Sequence, residues 1–320
     1  MSPARVDVII PTHNGRDLLA TCLPALARQR YRDFRVVVVD DASTDDSIDL
    51  VRQVMPEAVI VQLPRNRGLA VAVNAGLDVS ASELIALLNN DTEPEPNWLG
   101  ALVAALDRHP DAAAAASKLR LFDRRDVIHS AGDVFRRRGV PGNRGVWERD
   151  IGQYDREEEV FSACGGAALY RRRALDAAAA VDGAVLDPDL FMYCEDVDLS
   201  WRLRLLGYHV VYAPDAVVYH RLSATGGGTL ASYYVARNAP AVVVKDLPDQ
   251  LLRRHLLAIV AEQLRQLAGT LPHLREPAAR ARLRGMLAFV VMVPNLLQKR
   301  RRIQAACRVE AASLEALLVD

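Results

Sequence analysis

The sequence predicts an α/β fold: a mainly parallel central sheet flanked by helices, with a helical C-terminal extension. Three observations carry this prediction. Apolar runs at residues 6–10, 35–39, 58–63 and 84–88 are separated by helical patterns, the alternation expected of a parallel, right-handed sheet. The run 84–88 is apolar without a break, as in a strand buried on both faces. Beyond Tyr233-Tyr234 the strand pattern stops, and a Leu- and Arg-rich helical pattern takes over.

In chain order, the first strand stops at Pro11-Thr12-His13-Asn14-Gly15, a turn rich in side-chain acceptors. A helix follows over 16–29. The second strand ends in Asp40-Asp41, after which Ser43, Thr44 and Asp45 offer N-caps to a helix reaching Met55. The third strand leads through Arg65-Asn66-Arg67-Gly68 into a small-residue helix ending at Leu77. The fourth strand, 84–88, runs into Asn89-Asn90-Asp91. From Asn97 a further helix carries Trp98, Leu102 and Leu106 on one face.

Residues 118–160 are rich in Gly and Arg and poor in apolar runs, which predicts a long irregular insertion with short strands. Residues 161–169 suit a strand whose Gly165 and Gly166 let backbone approach a ligand. Over 190–202 the pattern is divided. Val197, Leu199, Trp201, Leu203 and Leu205 alternate as in a strand, whereas Glu195, Asp196 and Asp198 at the start and Gly207 at the end suit a helix. The helix is adopted. Residues 208–212 and 216–219 are predicted as two short strands, and 223–229 as a glycine-rich loop able to close over a diphosphate. The chain divides at 228, with 229–320 as the helical extension. There Leu252, Leu256, Val260, Leu264 and Leu267 share a face.

Lys+Arg and Asp+Glu are 40 each, so no global field draws nucleic acid. Positive charge is local, at Arg136–138, Arg171–173 and Lys299-Arg300-Arg301-Arg302. The last of these, on an amphipathic helix, is a candidate contact for an anionic membrane. The four cysteines, Cys22, Cys164, Cys194 and Cys307, form no CxxC pair, which argues for reduced thiols in the cytoplasm and against a zinc finger. The N-terminus enters a strand at once, without signal-peptide order. No apolar run approaches the ~20 residues of a membrane span. No G-x-G-x-x-G or G-x-x-x-x-G-K-[ST] occurs at a strand-to-helix turn, against a Rossmann dehydrogenase or a P-loop NTPase.

Ligands of open parallel sheets sit beyond the carboxyl ends of the strands. Asp91 occupies such a place, and a carboxylate there suits Mg²⁺ or Mn²⁺ shared with phosphates; a plain polar turn is the alternative. Asp40 and Asp41 suit a nucleobase edge or ribose hydroxyls, with helix capping as the competing role for residues 43–46. Three carboxylates within 195–198 would be costly as mere structure; a solvated helix start is the alternative. His220, just past a strand end, is a metal-ligand candidate or a satisfied structural histidine.

Together, Val8-Ile9-Ile10-Pro11-Thr12-His13-Asn14, Val39-Asp40-Asp41-Ala42-Ser43, Asn66-Arg67-Gly68 with Asn74-Ala75-Gly76, and Leu87-Leu88-Asn89-Asn90-Asp91 resemble the motifs of family 2 glycosyltransferases over roughly residues 5–225. The resemblance implies a GT-A fold and inverting transfer of a sugar from a nucleotide diphosphate, in bacterial cell-surface polysaccharide synthesis. It places Pro11, Thr12, Asn14, Asp40, Asp41, Asn66, Gly68, Asn74, Asn89 and Asn90 around the donor. It places Asp91 and His220 on Mg²⁺ or Mn²⁺, and Cys164, Gly165, Gly166 and Trp201 near the acceptor. Asp196 is the implied base, with Glu195 and Asp198 in support.

The family's Asp-x-Asp motif stands here as Asn89-Asn90-Asp91, as in its rhamnosyltransferase-like branch. That branch implies a dTDP- or UDP-linked donor, dTDP-rhamnose first, and a glycan or polyprenyl-diphosphate-linked acceptor. Such an acceptor would bring the protein, alone or as a homo-oligomer, to the inner face of the cell membrane. Two other classes compete. A sugar-1-phosphate nucleotidyltransferase needs a Gly-rich basic loop after its first strand, and residues 11–15 hold no Lys or Arg. A non-catalytic membrane-surface scaffold would leave nucleotide sugars intact.

Overall fold

A computed structural model describes residues 4–222 and 227–320; most of the predicted glycine-rich loop lies outside the described residues. The first half alternates β1 (Val6–Thr12), α1 (Arg16–Ala27), β2 (Phe34–Asp40), α2 (Ser47–Val54), β3 (Val59–Gln62), α3 (Leu69–Asp78) and β4 (Leu84–Leu88). Then come β5 (Thr92–Pro94), α4 (Trp98–Arg108) and β6 (Ala112–Leu121). Short strands β7 (Ile128–Ala131), β8 (Asp133–Arg136), β9 (Val140–Asn143) and β10 (Glu158–Val160) precede β11 (Ala167–Arg171) and α5 (Arg172–Asp182). After α6 (Glu195–Leu205) and β12 (His209–His220), the chain is helical: α7 (Thr229–Asp246), α8 (Asp249–Thr270), α9 (Pro277–Ala305) and α10 (Ala311–Glu315).

The main sheet runs β10-β12-β6-β11-β4-β1-β2-β3. Strands β4, β1, β2 and β3 are mutually parallel, and β11 enters antiparallel between β4 and β6. The unbroken apolar runs follow from burial on both faces. Val8, Ile10, Val38 and Leu88 pack with Leu23, Trp98 and Leu102 of α1 and α4. The intervening Ile9, Val37, Val39 and Leu87 pack with Val73 and Leu77 of α3 and Leu175 of α5. A sheet sandwiched in this way brings the carboxyl ends of β1, β2 and β4 to one edge, where the loops must hold any ligand.

Three local expectations are corrected. Strand β6 extends through Leu121, into the segment expected to be irregular; its five consecutive alanines carry neither a period nor β-branching. Residues 161–166 are not strand, and β11 starts only after the two glycines. The two strands expected at 208–219 are one, β12, with a register shift between Ala213 and Val217 that absorbs Pro214-Asp215 as a bulge.

The C-terminal helices share a core with the rest of the chain. Trp201 and Leu205 of α6 and Phe135 of β8 pack with Val242, Leu247, Leu296, Ile303 and Leu314. Charge reinforces this junction. Lys245 Nζ of α7 lies 2.6 Å from Asp182, 2.6 Å from Asp187 and 2.5 Å from Asp198. Lys299 Nζ lies 2.6 Å from Asp187 and 2.7 Å from Asp189. Arg300 pairs with Asp249 and donates to Val244 O. The run 299–302 is therefore not one basic patch on the surface: Lys299 and Arg300 are buried, and only Arg301 and Arg302 are exposed.

Candidate active site

Two cavities adjoin at the carboxyl edge of the sheet, sharing Leu69, Asn89 and Met192. The smaller, about 150 Å³, is lined by Pro11, Thr12 and His13 from the end of β1, by Asp41, by Asn66 and Gly68, and by Asn89, Asn90 and Phe191. Its walls brace one another. Asn90 Nδ2 donates to Thr12 Oγ1 at 2.8 Å. The Asp41 carboxylate accepts from the backbone N–H groups of Arg67 and Gly68, both at 2.7 Å. Burial pushes the Asp41 carboxyl above the usual range, and those two bonds oppose the push. Gly68 has φ +85°, and a Cβ there would meet the Phe191 ring at 2.5 Å, so both backbone shape and space require glycine.

Three predicted donor residues brace the loops instead of lining this cavity. Asn14 Oδ1 accepts from Thr44 N at 2.7 Å. The Asp40 carboxylate accepts from Ser43 N at 2.9 Å and Gln62 Nε2 at 3.2 Å. The Asn74 side chain bonds both the N–H and the C=O of Leu186, at 3.0 and 2.7 Å. Short Asn and Asp side chains readily satisfy nearby backbone, and these three do so.

The larger cavity, about 400 Å³, takes in Asn89, Asp91, His129, Asp133, Cys164, Gly165, Gly166, His220 and residues 192–197. Asp91 and His220 are both buried, with His220 Nε2 3.2 Å from Asp91 Oδ1. Behind them His129 Nδ1 lies 3.0 Å from His220 Nδ1. Burial, aided by the neighbouring His220, pushes His129 down to about 3, so it is neutral at physiological pH. A carboxylate oxygen and an imidazole nitrogen converging on a cavity wall fit Mg²⁺ or Mn²⁺ that also takes phosphate oxygens. Asp182, Asp187 and Asp198 converge as well, but on Lys245 Nζ, so the protein's own cation fills that cluster.

Helix α6 points its first carboxylates into the larger cavity. Before it, Phe191, Tyr193 and Cys194 take φ of 65°, 66° and 65°, a concentration of left-handed non-glycine residues typical of functional loops. Asp196 Oδ2 accepts from Gly165 N at 2.8 Å, and Asp196 Oδ1 from Val197 N at 2.8 Å. A Cβ on Gly165 would sit 3.1 Å from Asp196 Cβ, which is why backbone passes so close there. Burial pushes Asp196 up and these bonds oppose it. Burial, then Asp196, pushes Glu195 to about 8.

Asp133, at the start of β8, is a cavity carboxylate that sequence reasoning missed. Its carboxylate, the Asp196 carboxylate and Cys164 Sγ lie within 4.8 Å of one another. Ser130 Oγ and Asn143 Nδ2 donate to Asp133 Oδ1 at 2.6 and 2.8 Å. Burial, then Asp196, pushes Asp133 to about 8. Lone in an irregular insertion, it carries no spacing signal.

Trp201, predicted as an acceptor residue, points elsewhere and is corrected; Asp198, predicted in support of Asp196, lies outside the cavity. Asp198 is fully buried, 2.8 Å from Arg202 and 2.5 Å from Lys245. Trp201 is buried edge-on to Phe135 and Phe161, at centroid distances of 5.0 and 4.9 Å. On a helix, positions 196 and 198 face about 200° apart, so only one of these carboxylates can reach the cavity.

Residues 7–178 match the sequence profile described as Glycosyl transferase family 2. The chain belongs to that family. It is 31% identical over 232 residues to "Uncharacterized protein y4gI" of Sinorhizobium fredii, across 69% of this chain and 25% of that one. It is 28% identical over 185 residues to a "PGL/p-HBAD biosynthesis glycosyltransferase" of Mycobacterium bovis, across 51% of this chain and 72% of that one. The chain thus spans a quarter of the first relative and most of the second. Among solved structures it is similar to GalNAc-T7 with UDP, GalNAc and Mn²⁺, at a TM-score of 0.60 and 18% identity over 77% of this chain and 48% of that one. The architecture is the GT-A glycosyltransferase fold.

Proposed function

We propose that this family 2 protein is an inverting, metal-dependent glycosyltransferase, moving a sugar from a nucleotide diphosphate to a hydroxyl of a glycan or polyprenyl-diphosphate-linked acceptor. The observation that carries the reading is a half-buried carboxylate, Asp196, on the wall of the same cavity as the Asp91–His220 pair.

In this reading the nucleoside occupies the smaller cavity between Pro11, Asp41 and Asn66, and the diphosphate passes Asn89 towards Asp91. Mg²⁺ or Mn²⁺ held by Asp91 and His220 would supply positive charge to the departing diphosphate. Asp196 takes the proton of the attacking hydroxyl, and Gly165 and Gly166 leave room for the sugars. Glu195, which burial and then Asp196 push to about 8, holds its proton more tightly than an ordinary carboxyl. The Asn89-Asn90-Asp91 sequence supports a rhamnosyltransferase-like donor, so dTDP-rhamnose and UDP-sugars are tried first. The name of the mycobacterial relative, a "PGL/p-HBAD biosynthesis glycosyltransferase", supports the transferase reading. Family membership and the uncharged 11–15 turn leave no support for a nucleotidyltransferase.

A thermal-shift panel of dTDP-, UDP- and GDP-sugars with Mn²⁺ tests the donor reading, because a ligand of the folded state raises the melting temperature. At least one donor is expected to do so only with the metal present. Silence across the panel contradicts the reading.

The acceptor gives the C-terminal helices, 229–320, a place at the inner membrane face as a peripheral partner. No helix among the described residues is long and apolar enough to cross a membrane. Helix α8 exposes Leu257 (86%) and Leu264 (60%), and α9 exposes Leu287 (62%) and Val291 (81%). Arg280, Arg284 and Arg301 are exposed at spacings that put them on the same face of α9. Leu257→Ser with Val291→Ser should reduce co-sedimentation with anionic vesicles at unchanged melting temperature. Equal sedimentation would contradict a membrane role for these side chains. Replacing Lys299 is unsuitable for the test, since its charge holds Asp187 and Asp189.

A further inference from the structure

Helix α7 reaches the loop that precedes Glu195-Asp196 with three side chains at i, i+3 and i+4, which share one helix face. Asn238 is fully buried. Its Nδ2 lies 2.9 Å from Leu190 O, 2.9 Å from Met192 O and 2.7 Å from Tyr193 O. Its Oδ1 accepts from Arg237 Nε at 2.8 Å, which leaves the amide only one way round. Arg237 Nη2 donates to Asp189 O and Leu190 O, both at 2.8 Å. The ring of Tyr234 stacks on Phe191 at 5.1 Å with 7° between planes, and Phe191 fills the space left by Gly68.

These contacts fall where the backbone needs them. Around left-handed Phe191, Tyr193 and Cys194 the Met192 and Tyr193 carbonyls accept from Asn238, whereas Leu190 O also accepts from Met192 N, and buried carbonyls without donors are costly. An amide NH₂ is the neutral side-chain group that offers two hydrogens from one atom to clustered acceptors. The segment so held forms part of both cavity walls through Phe191 and Met192 and feeds directly into α6.

We propose that Asn238, backed by Arg237 and Tyr234, is a positioning residue that locks the 190–194 loop in the strained form presenting Asp196 to the cavity. The C-terminal helices are thereby part of the catalytic apparatus. The consequence for turnover rests on the transferase reading, whereas the restraint on the loop does not.

The test is amide hydrogen exchange on the full chain, with no substrate, comparing native protein with Asn238→Leu, a change close in size that removes the donors. Exchange at residues 191–196 should speed up roughly 10–100-fold, while β1 and β4 exchange as in the native protein. If Asn238→Leu does not fold, Arg237→Met at the half-exposed end of the clamp carries the same comparison. Native protection of 191–196 in the variant that folds overturns the proposal. With a donor that the native protein turns over, the acidic limb of kcat should move to lower pH in the variant, because more water around the half-buried Asp196 weakens the desolvation that raises it. A lower kcat with an unmoved limb would mean that the clamp does not position Asp196. If no donor is turned over by the native protein, the transferase reading fails and the exchange result still decides the clamp.

Discussion

Asp196→Asn is expected to cut turnover by about 10²–10⁴-fold, the range attributed to general base catalysis, while nucleotide and metal binding stay near native. The substitution keeps shape, and an amide oxygen can still accept from Gly165 N where the carboxylate does now. Basicity is lost, with one of the two backbone bonds that Gly165 N and Val197 N make to the carboxylate. In the native protein the acidic limb of kcat should lie above the ordinary aspartate value of 3.8, since burial is the largest influence on this carboxyl and raises it. Below its own pKa Asp196 is protonated and cannot accept the acceptor's proton, so activity falls as pH falls through that limb. Asp198→Asn should behave differently. It removes the charge facing Lys245 and Arg202 in a dry junction, and breaking such a buried pair costs about 3–5 kcal/mol. A calorimetric scan would show that loss as a lower melting temperature. Native turnover in Asp196→Asn would remove the proposed base.

Asp91→Ala is the second large effect. It deletes the one carboxylate that remains of the Asp-x-Asp pattern, and with it an oxygen ligand for a hard cation. Mn²⁺ affinity, read by electron paramagnetic resonance of the free ion, should fall by at least about 100-fold, beyond what loss of an outer-shell partner does. The metal-dependent thermal shift by nucleotide sugar should vanish with it. His220→Ala should weaken the metal less, because one ring nitrogen is lost and the carboxylate stays. Undiminished Mn²⁺ binding in Asp91→Ala, or full native activity in excess chelator, would contradict the assignment.

Much of the fold was legible because burial on both faces writes unbroken apolar runs, as at 84–88; the caps read into residues 43–45 do not form, since α2 starts after Asp46 with no side-chain cap bond. The short strands of 118–160 were anticipated only in kind. β6 was not, since its alanines pack between layers without a telling period. The site was legible where it sits at strand ends, as with Asp41, Asn66 and Asp91. It was opaque where tertiary contacts decide the role. Asp196 and Asp198 look equivalent in sequence, yet about half a turn of helix sends one to the cavity and the other to Lys245. Asp133 and Asn238 became visible only when β8 and α7 folded back against α6. Lys299 and Arg300 read as part of a membrane-facing basic run until their carboxylate partners, 51 to 112 residues away, were in place.

The most direct measurement of the central claim is proton NMR of the native protein with Mn²⁺, acceptor and the donor selected by thermal shift. The account predicts consumption of the nucleotide sugar and a first-formed product whose anomeric configuration is opposite to that of the donor, and it predicts loss of that signal in Asp196→Asn. Retained configuration, or equal product formation by native protein and Asp196→Asn, would contradict it.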